Sequence, residues 1–438
     1  MDQPYLSDLG TLDVSAPAGR HVRMGQPHLS DHDASDVPAP VGRHVRLEDD
    51  PGTLLGDRKY RPDVEGLRAV AVGAVILFHA KLAGFSGGFV GVDVFYVISG
   101  FVITGVLLRK LEASGSLGFK DFYARRARRI LPAAGLVLIA TILASYHWLG
   151  FIRGAEVADD ARWCAVFLAN FHFLSIGTNY FSSQLPPSPL QNFWSLAVEE
   201  QFYLVYPCAL ALSLVVIPKL SVRHKIMIFT GAVVLGSLSW SIYQTSADPY
   251  GAYLSSLTRA WELALGGFVA AGTQYWLRLR RDVAACMTWL GIAGILIAAT
   301  LFTASTPYPG WAATLPVAGA ALIIAGGMSA GRWGAEFVLG TVVFRWLGKL
   351  SYSLYLWSWP VLTIAAESSS KPLSLSQRLL TVLAAFVLAA LSYAIVENPI
   401  RHSKWMAVSW RRGILLGVVI IFAVLLVATL EIHATHTL

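Results

Sequence analysis

Arg68 and His79 stand eleven positions apart in the first strongly apolar stretch, Leu67 to Leu82. At about 100° and about 1.5 Å per residue, such a step returns a helix to nearly the same face and separates the two groups by roughly 16 Å. One stripe of a membrane helix would then carry a guanidinium and an imidazole at two depths. Ionisable side chains inside a spanning helix are costly, so each is read first as functional, facing a polar cavity or a protein partner. The plainer alternative is a snorkelling arginine and a histidine hydrogen-bonded within a bundle.

Between this stretch and the next lies Gly84-Phe85-Ser86-Gly87-Gly88-Phe89-Val90-Gly91-Val92-Asp93, continuing through Tyr96, Ser99, Gly100 and Thr104. Small residues let two helices approach closely in lipid, which would bring Asp93 near His79. A carboxylate beside an imidazole fixes its tautomer and stabilises the imidazolium, making a general base. Asp93 as a helix cap is the competing expectation. Further on, Lys120-Asp121-Phe122-Tyr123-Ala124-Arg125-Arg126-Ala127-Arg128-Arg129 precedes Ile130-Leu131-Pro132. Its arginines suit bidentate phosphate recognition, or anchor topology against anionic lipid.

A third constellation, Asn192-Phe193-Trp194-Ser195-Leu196-Ala197-Val198-Glu199-Glu200-Gln201-Phe202-Tyr203, follows a Pro186-Pro187-Ser188-Pro189 turn. Glu199 and Glu200 fall within about two turns of its start, where a carboxylate needs a partner or a cavity. Arg259 and Glu262 share a face and either answer those glutamates or pair with each other. Leu350 to Pro360 is a polar and aromatic helix that lines a cavity or packs inside the bundle. Glu397-Asn398-Pro399-Ile400-Arg401 reads as a helix stop with local charge pairing.

The elements that must position these groups are membrane helices. The 438 residues are 55% hydrophobic and 14% charged, with a mean hydropathy of +0.56, which excludes an ordinary soluble enzyme. Apolar runs near the length that crosses a bilayer recur without the alternation of a barrel, so the expected fold is an all-α polytopic bundle. Eleven spans are predicted, near 66–83, 89–108, 130–150, 193–217, 225–243, 254–273, 285–303, 312–328, 349–366, 378–396 and 413–431. A weaker segment, 158–181, reads as a re-entrant or surface helix. Alternate connections are basic (Arg109 to Arg129, Lys219 to Lys225, Arg278 to Arg281, Arg332 to Lys349, Arg401 to Arg412). By the positive-inside rule the N-terminus is cytoplasmic and the C-terminus extracytoplasmic. The formal charge of +7 then reflects topology and anionic lipid, and no nucleic-acid partner is expected.

Residues 1–59 read as a disordered cytoplasmic tail. Ala16-Pro17-Ala18-Gly19-Arg20-His21-Val22-Arg23 recurs in it as Ala39-Pro40-Val41-Gly42-Arg43-His44-Val45-Arg46, in a background that cannot bury a core. His21, His28, His32 and His44 are read as solvated and not as a metal site. Without an apolar leader in this tail, the first span is expected to drive insertion. Residues 60–431 form the membrane domain and 432–438 a short outer tail. Cys164, Cys208 and Cys286 have no paired spacing, so neither a disulfide framework nor a zinc site is expected.

Together the motifs resemble acyltransferase family 3, bacterial membrane O-acyltransferases, and within it the subgroup that acetylates envelope glycans and often carries an SGNH-type domain. The resemblance covers about residues 59–431. It rests on Tyr60 to Arg68 with His79, Gly88 to Phe101, Phe122 to Pro132, Trp194 to Tyr203, and Arg259 to Leu263. It implies a cytosolic acyl-CoA donor, acetyl-CoA by expectation, whose phosphates meet Arg68, Arg125, Arg126, Arg128 and Arg129. It also implies no permanently bound cofactor or metal. His79 is then the catalytic histidine, with Asp93 and Glu199 assigned beside it and Ser99, Tyr203, Arg259 and Tyr355 assigned to the acceptor. Two departures stand out. Ser358 occupies the place between Trp357 and Trp359 where the family usually has histidine, and no length remains after the last span for an SGNH-type domain, so a membrane module alone is expected.

The function expected is transfer of an acyl group from acyl-CoA to a hydroxyl of an envelope glycan or glycolipid in the bacterial cytoplasmic membrane, with imidazole removing the hydroxyl proton. A transporter or flippase using the same intramembrane charges is the competing class. Two-half symmetry is not visible in the span pattern. A membrane sensor or scaffold is the third.

Overall fold

The computed structural model describes residues 61–177, 186–216 and 219–436, and among these residues the regular structure is helical throughout. The duplicated tail and its four histidines lie outside them. In chain order the first helices are α1 (Pro62–His79), α2 (Gly91–Ser114), α3 (Phe119–Leu149), α4 (Phe151–Ala165), α5 (Ala169–Ser175), α6 (Phe193–Val216) and α7 (Val222–Ala247). There follow α8 (Pro249–Leu254), α9 (Ser256–Ala271), α10 (Thr273–Trp276), α11 (Arg281–Leu301), α12 (Thr314–Gly326), α13 (Glu336–Leu339) and α14 (Val342–Glu367). The chain ends with α15 (Leu375–Ser392), which a π-helical turn (Tyr393–Glu397) joins to α16 (Asn398–Arg401), then α17 (Lys404–Ala407) and α18 (Trp410–His436).

Each segment expected to span coincides with a helix, and six are long and apolar enough to cross a membrane: Gly88–Ser114, Phe119–Leu149, Val222–Ala247, Arg281–Leu301, Leu375–Arg401 and Trp410–Thr435. Burial sorts them. The apolar windows of the first two are 67% and 61% buried, whereas those of the α7, α15 and α18 spans are 17%, 17% and 22% buried, so α2 and α3 are central and the other three present bare apolar faces, as lipid requires.

Three boundaries differ from expectation. α3 begins at Phe119, so the arginine run is part of the helix and not a connection before it; Lys, Arg and Ala are good helix formers. α18 runs to His436, which makes most of the expected outer tail helical. The 158–181 segment resolves into part of α4 and the short α5, with residues 178–181 outside the described range.

Glycines set the closest seams. A Cβ on Gly91 would strike the Ala71 carbonyl and one on Gly88 the Ala74 carbonyl, which seats α2 directly on α1. Gly100 meets the Leu263 carbonyl and Gly266 the Val97 carbonyl, which seats α9 on α2 in the same way. Backbone contact of this kind replaces the hydrophobic drive that lipid removes.

Beside the second seam lies a sealed ionic knot. Arg259 is 1% exposed and donates from one terminal nitrogen to Asp93 (2.8 Å) and Glu262 (3.0 Å) and from Nε to the Tyr253 carbonyl (3.2 Å). The Tyr308 hydroxyl donates to the other Asp93 oxygen at 2.6 Å. The rings of Trp194, Tyr253 and Tyr308 lie 5.6, 4.9 and 5.2 Å from the guanidinium. One cation thus ties α2, α6, α8, α9 and the Tyr308 loop together. Removing one member of a buried ionic set strands the others, at roughly 3–5 kcal/mol. Arg259→Met is therefore expected to lower the unfolding midpoint of the detergent-solubilised protein by many degrees, and Arg259→Lys to rescue little, because an ammonium cannot reproduce the planar contacts. Melting of both variants at the wild-type temperature would refute this role.

Candidate active site

α1 delivers Arg68 and His79 to one neighbour. Arg68 Nε donates to Ser351 Oγ of α14 at 3.1 Å, and a terminal nitrogen stands 3.9 Å from Glu65. One helical stretch later, the His79 ring lies 4.5 Å from the ring of Trp359, also of α14, and 5.8 Å from that of Phe78. Ser351 and Trp359 are eight positions apart, a rise of about 12 Å. α1 and α14 therefore run in parallel, and the two ionisable groups mark two levels on the same inter-helix seam.

The levels between them are polar. Nearest His79, the Tyr355 hydroxyl meets Ser195 Oγ (2.5 Å) and donates to the Asn192 carbonyl (2.9 Å), while Asn192 Nδ2 donates back to the Tyr355 carbonyl (3.0 Å). Deeper, Glu199 accepts from Ser99 Oγ and from the Tyr203 hydroxyl, both at 2.6 Å. Arg126 of α3 stands 3.0 Å from Glu200 and 3.6 Å from Glu199, with its guanidinium 3.7 Å above the Tyr203 ring. Unlike the Arg259 knot, this column is not closed: Arg68, Glu199, Glu200 and Arg126 keep side-chain exposures of 18%, 20%, 14% and 13%.

At the Arg68 end the cation count rises. The charge of Arg129 is felt by Arg68, Arg126 and Arg401, and the buried Glu397 carboxylate accepts from Ser353 Oγ at 2.7 Å in the field of Arg68, Arg129 and Arg401, with no ion pair to any of them among the described residues. Arg401, an exposed residue that the sequence reading places in a helix stop with local charge pairing, adds its charge to this group. A π-helical turn widens the helix at Tyr393–Glu397, and such turns recur at functional sites. The spacing Glu397 to Arg401 carried part of the signal, but nothing in the sequence announced a widened turn.

Several assignments change. The Asp93–His79 dyad does not form: Gly91 faces α1, and Asp93, two residues on, is rotated by about 200° toward α9, where Arg259 and Tyr308 take both of its oxygens. Arg259 is enclosed by its own partners and belongs to the framework, not to an acceptor surface. The four arginines of α3 do not act as one patch, because the helical period splits them. Arg125 is exposed and Arg126, Arg128 and Arg129 are half-buried, with Arg126 on the glutamates and Arg129 in the field of Arg68 and Arg401. Arg126 pairs with two glutamates, whereas Nε and one terminal nitrogen of Arg128 are buried with no hydrogen-bond partner among the described residues. Tyr355 is tied to Ser195 and Asn192. Ser99, Glu199 and Tyr203, assigned separately from sequence, are brought together. Ser358 is buried and donates to the Tyr355 carbonyl of its own helix (3.3 Å).

A family model described as an acyltransferase domain, acyltransferase 3, matches residues 61–397. The chain is 34% identical over 364 residues to the peptidoglycan O-acetyltransferase OatA of Listeria monocytogenes, a match covering 80% of this chain and 57% of that protein. It is 32% identical over 379 residues to the putative peptidoglycan O-acetyltransferase YrhL of Bacillus subtilis (81% and 57% covered). With a putative O-acetyltransferase of Staphylococcus aureus it shares 30% identity over 366 residues (81% and 59% covered). The chain thus spans less than two thirds of the length of these relatives. No solved structure matches it. The matched region runs from Arg61, at the mouth of α1, to Glu397, and so contains both levels of the α1/α14 seam and the polar column between them: the chain belongs to the acyltransferase 3 family.

Proposed function

We propose that this chain is a multi-pass membrane O-acyltransferase that moves an acyl group, acetyl by preference, from cytosolic acyl-CoA to a hydroxyl of a cell-envelope glycan or glycolipid. The observation that carries the reading is the alignment of Arg68 and His79 along α14, with a partly accessible polar column between them. The names of the relatives support an envelope glycan as acceptor. The membrane arrangement that goes with this reading is eleven crossings in the bacterial cytoplasmic membrane, the amino end inside and the carboxyl end outside.

On this reading the phosphates of the donor engage Arg68, Arg129 and Arg401, and its extended arm runs along the column toward His79. The acceptor oxygen attacks the thioester carbonyl carbon, a C–O bond forms and the C–S bond breaks. His79 takes the hydroxyl proton and returns it to the departing thiolate, so the reaction needs no net proton uptake. Trp359 holds the imidazole plane. Glu199, with Ser99 and Tyr203, presents hydrogen-bonding groups along the route.

His79→Ala is expected to lower acyl transfer by roughly 10²–10⁴-fold while the protein still migrates and melts as wild type. Wild-type turnover by a folded variant would remove His79 from the chemistry. Arg129→Gln and Arg401→Gln are each expected to raise the KM for acyl-CoA by about tenfold, a loss near 1.4 kcal/mol, with a smaller effect on kcat. Arg125→Gln, whose charge lies outside the Arg68, Arg129 and Arg401 group, is expected to change KM less than twofold; equal effects at all three positions would instead indicate a diffuse surface potential. Purified protein in liposomes with labelled acyl-CoA separates this reading from a transporter: movement of label without an acylated product would favour transport.

A further inference from the structure

The strap that enters α6 carries two carboxamides whose hydrogen bonding is incomplete. Gln191 is 0% and Asn192 1% exposed. Among the described residues neither Nε2 nor Oε1 of Gln191 has a partner, nor does Oδ1 of Asn192. A buried amide left in this state is destabilising, and such groups are rare in native structures unless water or a ligand completes them. The two sit at the level of His79. The Ser188 carbonyl accepts both from the Gln191 backbone N–H (3.0 Å) and from the indole N–H of Trp359 (2.8 Å), the ring that packs on His79. Asn192 is joined to Tyr355 of the polar column. The strap itself is firmly held: Ser188 Oγ donates to Asp160 (2.5 Å), which His172 also engages (2.8 Å), and Arg153 donates to the Pro186 carbonyl (2.9 Å).

We infer that Gln191 and Asn192 form an amide-recognising subsite at the outer end of the column, one that takes a secondary amide in the arm of the acyl donor. The inference rests on the acyl-transfer reading. Its chemistry follows from the groups present. Gln191 Nε2 supplies donors for a carbonyl, and Gln191 Oε1 and Asn192 Oδ1 supply acceptors for an N–H, so the complementary ligand group is one that offers both. Neither side chain reaches the surface, so the group that meets them arrives through the interior of the bundle. A donor arm threaded from the Arg68 end fulfils that condition.

Two acetyl thioesters of similar length test the subsite on the full chain in detergent or nanodiscs: S-acetyl-N-acetylcysteamine, which has one secondary amide, and S-acetylpentanethiol, which has none. Wild type is expected to prefer the amide in kcat/KM by about tenfold or more, mostly through KM, since a site built to hydrogen-bond a group discriminates against the analogue lacking it. Gln191→Met, of similar size, is expected to bring the ratio near one, and Gln191→Glu, which keeps an acceptor, to fall between. Equal use of both thioesters by wild type overturns the inference without requiring any variant to fold; it would leave an ordered water as the partner of Gln191. A ratio unaltered in a folded Gln191→Met also overturns it. So does a variant effect confined to acceptors with or without an acetamido group, which would give the subsite to the acceptor. Should wild type transfer from neither thioester, acetyl-CoA itself decides the acyl-transfer reading, which fails if that donor is also inert, and thermal stabilisation by the two compounds then tests the subsite: equal stabilisation overturns it.

Discussion

An ionised side chain in hydrocarbon must find its counter-charge inside the protein, and the way each one does so divides this bundle into framework and site. Arg259 is 1% exposed and is engaged by two carboxylates, a carbonyl and three aromatic rings. Arg68 and Arg129 are satisfied only in part. The first leans on a serine hydroxyl with a glutamate at the edge of ion-pair distance, and the second faces more cations than anions. Identical residue types therefore sit in opposite surroundings: the enclosed guanidinium locks helices together, and the proposed function assigns the less fully paired ones to an anion.

Much of this was legible from spacing alone. The interval between Arg68 and His79 placed both on one stripe, and α14 meets that stripe at Ser351 and Trp359. The apolar runs located the helices, because length and hydropathy are local properties. Glycine density between the first two helices foretold their close seam. What spacing could not supply was the identity of the third helix at each junction. Asp93 was expected to answer His79 because the hairpin brings them close in sequence, but two residues of helical rotation aim it at α9, and no local rule says that α9 lies there. Likewise Glu199 and Glu200 were free to pair with Arg259 or with something else. The answer, Arg126, comes from a helix 74 positions away from Glu200.

The arginine run shows the same limit from the other side. Composition gave four cations in a row and suggested one phosphate patch. Continuing α3 through them imposes a period that sends Arg126 to the glutamates, Arg129 toward Arg68 and Arg401, and Arg125 to the exterior. Where a helix begins thus decides which charges cooperate, and that boundary is among the weakest features of any sequence reading. Arg401 was read only as part of a helix stop for a related reason, since the π-helical turn that sets its phase depends on packing and not on composition.

The seam of α1 against α2 is made by main chain on main chain, at Gly91 with Ala71 and at Gly88 with Ala74. Side chains can repack to let helices slide; touching backbones cannot. With α14 packed along an adjoining flank at Glu65, Arg68 and His79, α1 is fixed in height, and the span from cation to imidazole becomes a rigid gauge. Under the proposed reaction, a carrier whose reactive carbon lies at another distance from its anionic head would stop short of the histidine or run past it, so the length of one immobile helix would select among carriers.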